Sequence, residues 1–247
     1  MENHELIRRA EDLWERCGRS GSVTHTGFLS PAERYHLECW ARHSVARLLF
    51  SGGGPGCERT AAFFLPDWLE EEAFEPGEYF SALRITAFFG EPGHRDYMGA
   101  ILGMGIGREW LGDIRVAGET AWVFCMPSVL RHLLSIDKVG RYSVKAEEIP
   151  LSAVPAPVRQ VKERSFSVNS LRLDAVAAGM FCLSRTEAAR QIEAGLLSLN
   201  YEECLKTDKP VQVGDVISLR GAGKGKVTGT GGTSRKGRLF VYAEICQ

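Results

Sequence analysis

The 247-residue sequence predicts an α+β, multidomain protein: an N-terminal mainly helical block, a central ferredoxin-like βαββαβ domain, and a C-terminal helix pair followed by a small β-sheet. Three observations predict it. Strand and helix periodicities follow one another in the order β-α-β-β-α-β across residues 76–150. A proline-bearing stretch, PLSAVPAPVRQVKERSFSVNS, then interrupts the pattern and reads as a linker. Beyond it, two short amphipathic segments with helix-start signals precede apolar segments bounded by turn residues. The domain boundaries drawn this way are 1–75, 76–150, a linker over 151–169, and 170–247.

In the first block, NHELIRRAEDLWERC and SPAERYHLECWARHSVARLLF have helical spacing. Ser30, Pro31 and Glu33 make a helix start, and the second helix is expected to run to the glycines at 52–54. TAAFFLPDW reads as a strand halted by Pro66. In the central block SALRITAFFG is a strand, HRDYMGAILGMGI a helix, and GDIRVAG and ETAWVFCM are strands. PSVLRHLLSIDKVG then reads as a helix from Pro127 to Gly140, and YSVKAEEI as the last strand. In the third block Leu173, Val176, Ala177 and Met180 share one helical face, with Ser170 as the expected cap. Ser184 and Glu187 form a capping box for the next helix, whose stripe is Ala188, Ala189 and Ile192 and whose end is Gly195. LLSLN and VQVGDVISLRG are strands, with turns at Asn200-Tyr201 and Gly214-Asp215. RGAGKGKVTGTGGTSRKGR, ahead of the strand LFVYAEI, is expected to be a mobile basic hairpin loop.

Composition narrows the function classes. A net charge of −1 and a pI near 6.6 give no global basic signal, so nucleic-acid affinity must come from local concentration of charge. Such a concentration exists: between Asp215 and Glu244 there is no carboxylate, whereas Arg220, Lys224, Lys226, Arg235, Lys236 and Arg238 all fall there. The seven cysteines are scattered without a CxxC pair, which argues against a disulfide framework or a structural zinc site. The charged N-terminus lacks the apolar core of a signal peptide, and the run MGAILGMGI is too short to span a bilayer. These features predict a cytoplasmic protein with no cofactor and no membrane partner.

Arg172 and Arg185 each stand at the start of a predicted helix, where positive charge opposes the macrodipole. A guanidinium beside free helix N–H groups makes an anion site, since both can face one phosphate. An internal salt bridge from Arg185 to Asp174 would need no ligand. The wider set favours the phosphate: the two arginines are joined by Lys206, Lys209 and the carboxylate-free segment on one small domain.

The pattern carried by Arg172-Leu173-Asp174, Leu183-Ser184-Arg185, Ala188 or Ala189, Ile192, Gly195, Asn200, Gly214-Asp215, Ile217-Ser218 and Arg220-Gly221 resembles an S4 RNA-binding domain. FLSPAER, HRDYMGAILGMGIGREWLGDIRV and RGAGKGKV ahead of TSRKGR extend the likeness along the whole chain, which resembles the YlmH family. The resemblance implies a non-enzymatic, ribosome-associated RNA-binding protein acting on stalled large subunits that still hold peptidyl-tRNA. It implies partners in large-subunit ribosomal RNA, tRNA or peptidyl-tRNA, and ribosome quality-control factors. It also makes the central block a second RNA-binding domain. The residues expected to meet RNA are Arg172, Ser184, Arg185, Lys206, Lys209, Arg220, Lys224, Lys226, Arg235, Lys236 and, in the central block, Arg95.

Two other classes compete. An S4 domain also accompanies RNA-modifying enzymes of the pseudouridine synthase and methyltransferase types, and the aromatic N-terminal block could serve a protein-partner scaffold. Gly103, Gly105 and Gly107 are a weak dinucleotide signal because they end a helical run rather than follow a strand, so helix packing is their expected use. The HRD triplet at His94 lacks the other kinase motifs and reads as a helix start. His36 and His43 lie seven apart without a third ligand, which reads as structural. Cys125 and Cys182 are expected to be small core residues. Trp122 and Phe124 could stack bases on a sheet face or belong to the core.

Overall fold

The computed structural model describes residues 2–157, 161–234 and 237–246, and the chain forms two compact units, 1–157 and 158–247. In the first unit, α1 (Glu2–Ser20) precedes β1 (Thr24–His25) and α2 (Pro31–Ala41). The start of α2 is the expected one: Ser30 Oγ accepts from the Glu33 N–H at 3.3 Å, and the Ser30 N–H donates to Glu33 Oε2 at 2.6 Å. The helix ends at Ala41, well short of the glycines. The apolar residues beyond it form β2 (Leu48–Ser51), which pairs antiparallel with β3 (Ala61–Phe64). The ladder with wholly buried β3 outweighs helical spacing over that stretch. Beside its two helices the N-terminal block therefore holds a three-stranded sheet in the order β1-β3-β2.

The expected alternation continues with β4 (Ser81–Ala87), α3 (His94–Gly103), β5 (Leu111–Ala117), β6 (Thr120–Cys125), α4 (Pro127–Leu133) and β8 (Tyr142–Ile149). One short strand, β7 (Lys138–Val139), is added. The order β5-β6-β4-β8-β7, antiparallel throughout, is that of a ferredoxin-like sheet with an extra edge strand. One face packs Leu83, Ile85 and Val123 against Tyr97 and Ile101 of α3 and Leu133 of α4. Three local expectations change. The helix from Pro127 stops at Leu133, and Gly140, at φ 58°, turns the β7–β8 hairpin instead of ending a helix. A Cβ at Gly103 or Gly105 would meet nothing within 4 Å, so these glycines do not serve packing; Gly105, at φ 81°, turns the chain out of α3. His94 does begin α3, with Asp96 Oδ2 accepting from the Gly93 N–H at 2.8 Å.

In the second unit, α5 (Leu173–Phe181) and α6 (Arg185–Glu193) cover a six-stranded sheet. Its strands are β9 (Val161–Val168), β10 (Leu197–Leu199), β11 (Glu202–Glu203), β12 (Val216–Leu219), β13 (Gly223–Thr233) and β14 (Leu239–Cys246), in the order β11-β10-β12-β13-β14-β9. The expected α5 face of Leu173, Val176, Ala177 and Met180 is wholly buried. Two longer stretches depart from expectation. Residues 161–168, read as linker, form β9, because Phe166 and Val168 alternate inward toward α5 with strand period. The glycine-rich basic stretch, read as a hairpin loop, is largely β13, paired on both sides. Its glycine is structural there: a Cβ on Gly225 would overlap the Met180 thioether, while Lys224 and Lys226 alternate outward.

Helix ends in this unit differ in detail as well. Arg172, not Ser170, occupies the N-cap position of α5. Ser184 caps α6 by accepting from the Glu187 N–H at 3.1 Å, but the Glu187 carboxylate turns to Arg190 and Gln191. Cys182 is exposed rather than in the core, and ends α5 with φ 56°. Arg164 of β9 donates there to the Met180 carbonyl at 2.9 Å, a cation at a helix C-terminus. Cys125 is buried as expected, and burial pushes its thiol up to about 12. Gly179 lies against Phe166 so closely that a Cβ would overlap the ring. Gly179→Ala is expected to destabilise the protein by about 1–3 kcal/mol through overpacking, read as a lower urea midpoint with an unchanged slope.

Candidate nucleic-acid interface

The first turn of α5 is built by a loop that returns to it. Arg172 bridges Pro210, the Leu173 N–H donates to the Lys209 carbonyl at 2.9 Å, and the Asp174 N–H donates to the Thr207 carbonyl at 2.9 Å. This pinning places the loop carrying Lys206 and Lys209 against Arg172. It also uses the helix-start donors: the Ala175 N–H is taken by Asp174 Oδ1 at 2.9 Å. The N-terminus of α5 is therefore not the free anion site that the sequence suggested, because the protein's own oxygens occupy those N–H groups.

What faces outward is a pair of guanidinium groups. Arg172 Nε lies 3.2 Å from Asp174 Oδ1, and Arg185 Nε lies 3.0 Å from Asp174 Oδ2. The salt bridge weighed as the ligand-free alternative is present. It does not exhaust the arginines: the Asp174 side chain is 7% exposed, whereas those of Arg172 and Arg185 are 41% and 53% exposed. One carboxylate cannot neutralise two guanidiniums, so the cluster keeps an excess positive charge. Among the described residues the terminal amino groups of Arg185 have no hydrogen-bond partner. Asp174 thus acts as a bracket, fixing two planar cations whose outer edges can each grip an anionic oxygen.

Burial alone would raise the Asp174 carboxyl, but hydrogen bonds from Arg172 and Arg185 outweigh it and hold the group below the usual range. Because the folded value is depressed, the stabilisation is complete above the ordinary aspartate value of about 3.9 and is lost as pH falls through the lower folded value. An acid-unfolding titration is expected to show a smaller loss of stability across that window for Asp174→Asn than for the parent chain.

The remaining expected contacts fall into separate places. Lys206 and Lys209 are exposed on the pinned loop, with Asp208 between them offsetting part of their charge near Arg172. The Ser184 hydroxyl is engaged as a cap at the start of α6. Arg220 is exposed just beyond β12, its N–H donating to the Leu196 carbonyl at 3.0 Å, past the end of α6. Lys224 and Lys226 lie on the outer face of β13; the Lys224 ammonium is 5.9 Å from the Tyr201 ring, and Lys226 stands opposite Glu244. Arg95 is exposed on α3 in the other unit. Arg235 and Lys236 lie outside the described residues. The structure therefore brings Arg172, Arg185, Lys206 and Lys209 together and leaves Arg220, Lys224 and Lys226 on other parts of the same unit. Sequence reasoning assigned no RNA contact to Arg238, which lines a groove along α5 with Arg185, Asn169 and Leu183. Its place in the carboxylate-free segment was the available signal.

In the central domain the base-stacking question is answered for Phe124. It is fully buried among Phe28, Phe63 and Phe80, with the Arg115 guanidinium 5.0 Å from its ring. A Cβ on Gly54 would come within 2.8 Å of that ring, so a backbone loop lies directly on it. The cover is stitched down. Asp113 accepts from the Glu58 and Arg59 N–H groups at 2.9 Å each, and Arg59 donates to the Leu111, Phe28 and Arg108 carbonyls. Trp122 is partly buried beside this cluster.

A family model described as "Putative RNA-binding domain in YlmH" matches residues 80–153, and the S4 domain model matches residues 171–217. The ribosome-associated protein quality control protein P2 of Bacillus subtilis (strain 168) is 32% identical over 223 residues, covering 89% of this chain and 86% of that protein. The solved structure of cell division protein ylmH from Streptococcus pneumoniae shares the fold, with a TM-score of 0.54 at 22% identity over 62% of this chain and 93% of that one. Among the described residues no helix is long and apolar enough to cross a membrane, and no group of three or more His, Cys, Asp or Glu could hold a metal ion. With one relative 32% identical over most of both chains, and with both domain models matched in order, the chain belongs to the YlmH family.

Proposed function

We propose that this protein is a cytoplasmic, non-catalytic factor that binds RNA on the large ribosomal subunit, contacting ribosomal RNA and tRNA, in the quality control of stalled ribosomes. The observation that carries the proposal is the Asp174 bracket, which presents Arg172 and Arg185 beside Lys206 and Lys209 on one S4 domain. Structured RNA offers closely spaced phosphates, and two oriented guanidiniums select their geometry better than mobile lysines do. Support for the ribosomal setting comes from the Bacillus subtilis relative, whose name places it in ribosome-associated quality control. In this reading the protein works by position: charge-assisted contacts hold it, or hold a tRNA, on the subunit while quality-control factors act.

The test is to recover the tagged protein from cells at low salt, sequence the bound RNA, and repeat with Arg172→Ala/Arg185→Ala. Enriched large-subunit ribosomal RNA and tRNA that disappear in the variant are expected. Recovery of no RNA, or of the same RNA with the variant, would overturn the proposal.

A further inference from the structure

The central domain raises a problem of its own. A ferredoxin-like RNA-binding domain commonly stacks bases on aromatic residues of its open sheet face. Here that face is closed at Phe124, which lies under the Gly54 backbone and the Arg115 guanidinium. Two other aromatic residues in the same domain are largely exposed to solvent. Phe88 and Phe89, in the loop from β4 to α3, are 60% and 84% exposed.

Their setting is ordered. The Phe88 N–H donates to the Ser143 carbonyl at 3.1 Å, extending the β4–β8 ladder past Ala87↔Val144. The chain then turns at Gly90, at φ 77°, where a Cβ would overlap the Tyr142 ring. Tyr142 in turn carries Arg141, with the guanidinium 5.1 Å from the ring centroid and Nη2 donating to the phenol oxygen at 3.1 Å. Arg95 opens α3 just beyond the loop, and Lys145 is exposed on β8 opposite Thr86. Three carboxylates are near: Asp96 is engaged with the Gly93 N–H, Glu91 is exposed in the loop, and Glu119 is exposed where its carbonyl accepts from the Ala87 N–H at 2.8 Å.

We propose that the Phe88-Phe89 loop is a second RNA contact, in which the two rings stack on unpaired bases while Arg95, Arg141 and Lys145 meet the adjoining phosphates. Exposed aromatic surface ringed by cations complements a polyanion with flat apolar bases. A protein partner would be matched by an apolar rim around the two rings. Their neighbours here are instead a glycine, a tyrosine already engaged by Arg141, and charged side chains. The inference rests on the RNA-binding reading of the protein and adds a site, distant in sequence from the S4 domain, that reads single-stranded RNA.

The test uses the full chain and a fluorescein-labelled oligouridine, with affinity measured across a salt series and ultraviolet cross-links mapped to peptides. Phe88→Ala/Phe89→Ala is expected to weaken binding about tenfold or more without changing the salt slope, because stacking releases no counterions. Phe89→Trp is expected to retain binding, and parent cross-links to fall on the peptide containing Phe88 and Phe89. An unchanged affinity with cross-links confined to residues 158–247 would overturn the inference and leave the RNA-binding reading standing. Failure of the parent protein to bind any RNA would overturn both. Unaltered RNA affinity together with loss of a protein cross-link from ribosomes would also overturn it, assigning the loop to a protein partner.

Discussion

Replacing Arg172 and Arg185 together by alanine is expected to weaken RNA binding by roughly a hundredfold or more, since each charge-assisted hydrogen bond is worth about 1.5–3 kcal/mol. The slope of log affinity against log salt is expected to fall by about two, one for each phosphate no longer gripped. The structure adds a complication that the experiment must separate. Asp174 is almost fully buried, so removing both partners strands its charge and destabilises the S4 unit. The triple variant with Asp174→Asn removes that stranded charge; it is expected to recover much of the stability and none of the affinity. Asp174→Asn alone offers a test of sign. It makes the domain more positive, so a purely electrostatic contact would strengthen, whereas a contact that needs oriented guanidiniums would weaken. Weakening is the expected result, measured by filter binding to large subunits.

Phe124→Ala is expected to cost about 3–5 kcal/mol of stability. The ring is fully buried, packed with Phe28, Phe63 and Phe80, and capped by Arg115. Its removal takes away the buried apolar surface that joins the N-terminal block to the sheet, and with it a cation–π interaction between neighbouring strands of the sheet. A single lowered urea midpoint is expected if the two blocks unfold together; two separated transitions would show that the stitching by Asp113 and Arg59 is too weak to couple them.

Much of this architecture was legible in the sequence where local chemistry and tertiary packing agree. The Ser30 cap, the α5 face through Leu173 and Met180, and the six-element order of the central domain all follow from local pattern. Departures arise where a partner distant in sequence decides the outcome. Leu48–Ser51 extends because β3 pairs with it, and the glycines of β13, poor strand formers alone, are held between β12 and β14. β9 was hard to read as a strand because β14, the strand it pairs with, lies about 70 residues further along. The site was legible to the extent of its residue types. Arg172, Arg185 and Asp174 were all visible, but spacing cannot tell a salt bridge that replaces a ligand from one that aims two cations at it. The unequal exposure of the three side chains, a buried Asp174 beneath two half-exposed arginines, is visible only in the structure.

The full-length pairing of β9 with β14, from Val161↔Cys246 to Val168↔Leu239, bears on how this protein is made. The strand that leaves the ribosome first in this unit waits for the one that leaves last. Until residues 239–246 have emerged, the inward side of Phe166 has no completed sheet beside it, and α5 lacks the β14 part of its floor. Such high contact order delays folding of this unit until β14 has been synthesised. The domain proposed to grip RNA therefore assembles only on chains whose translation has passed residue 246.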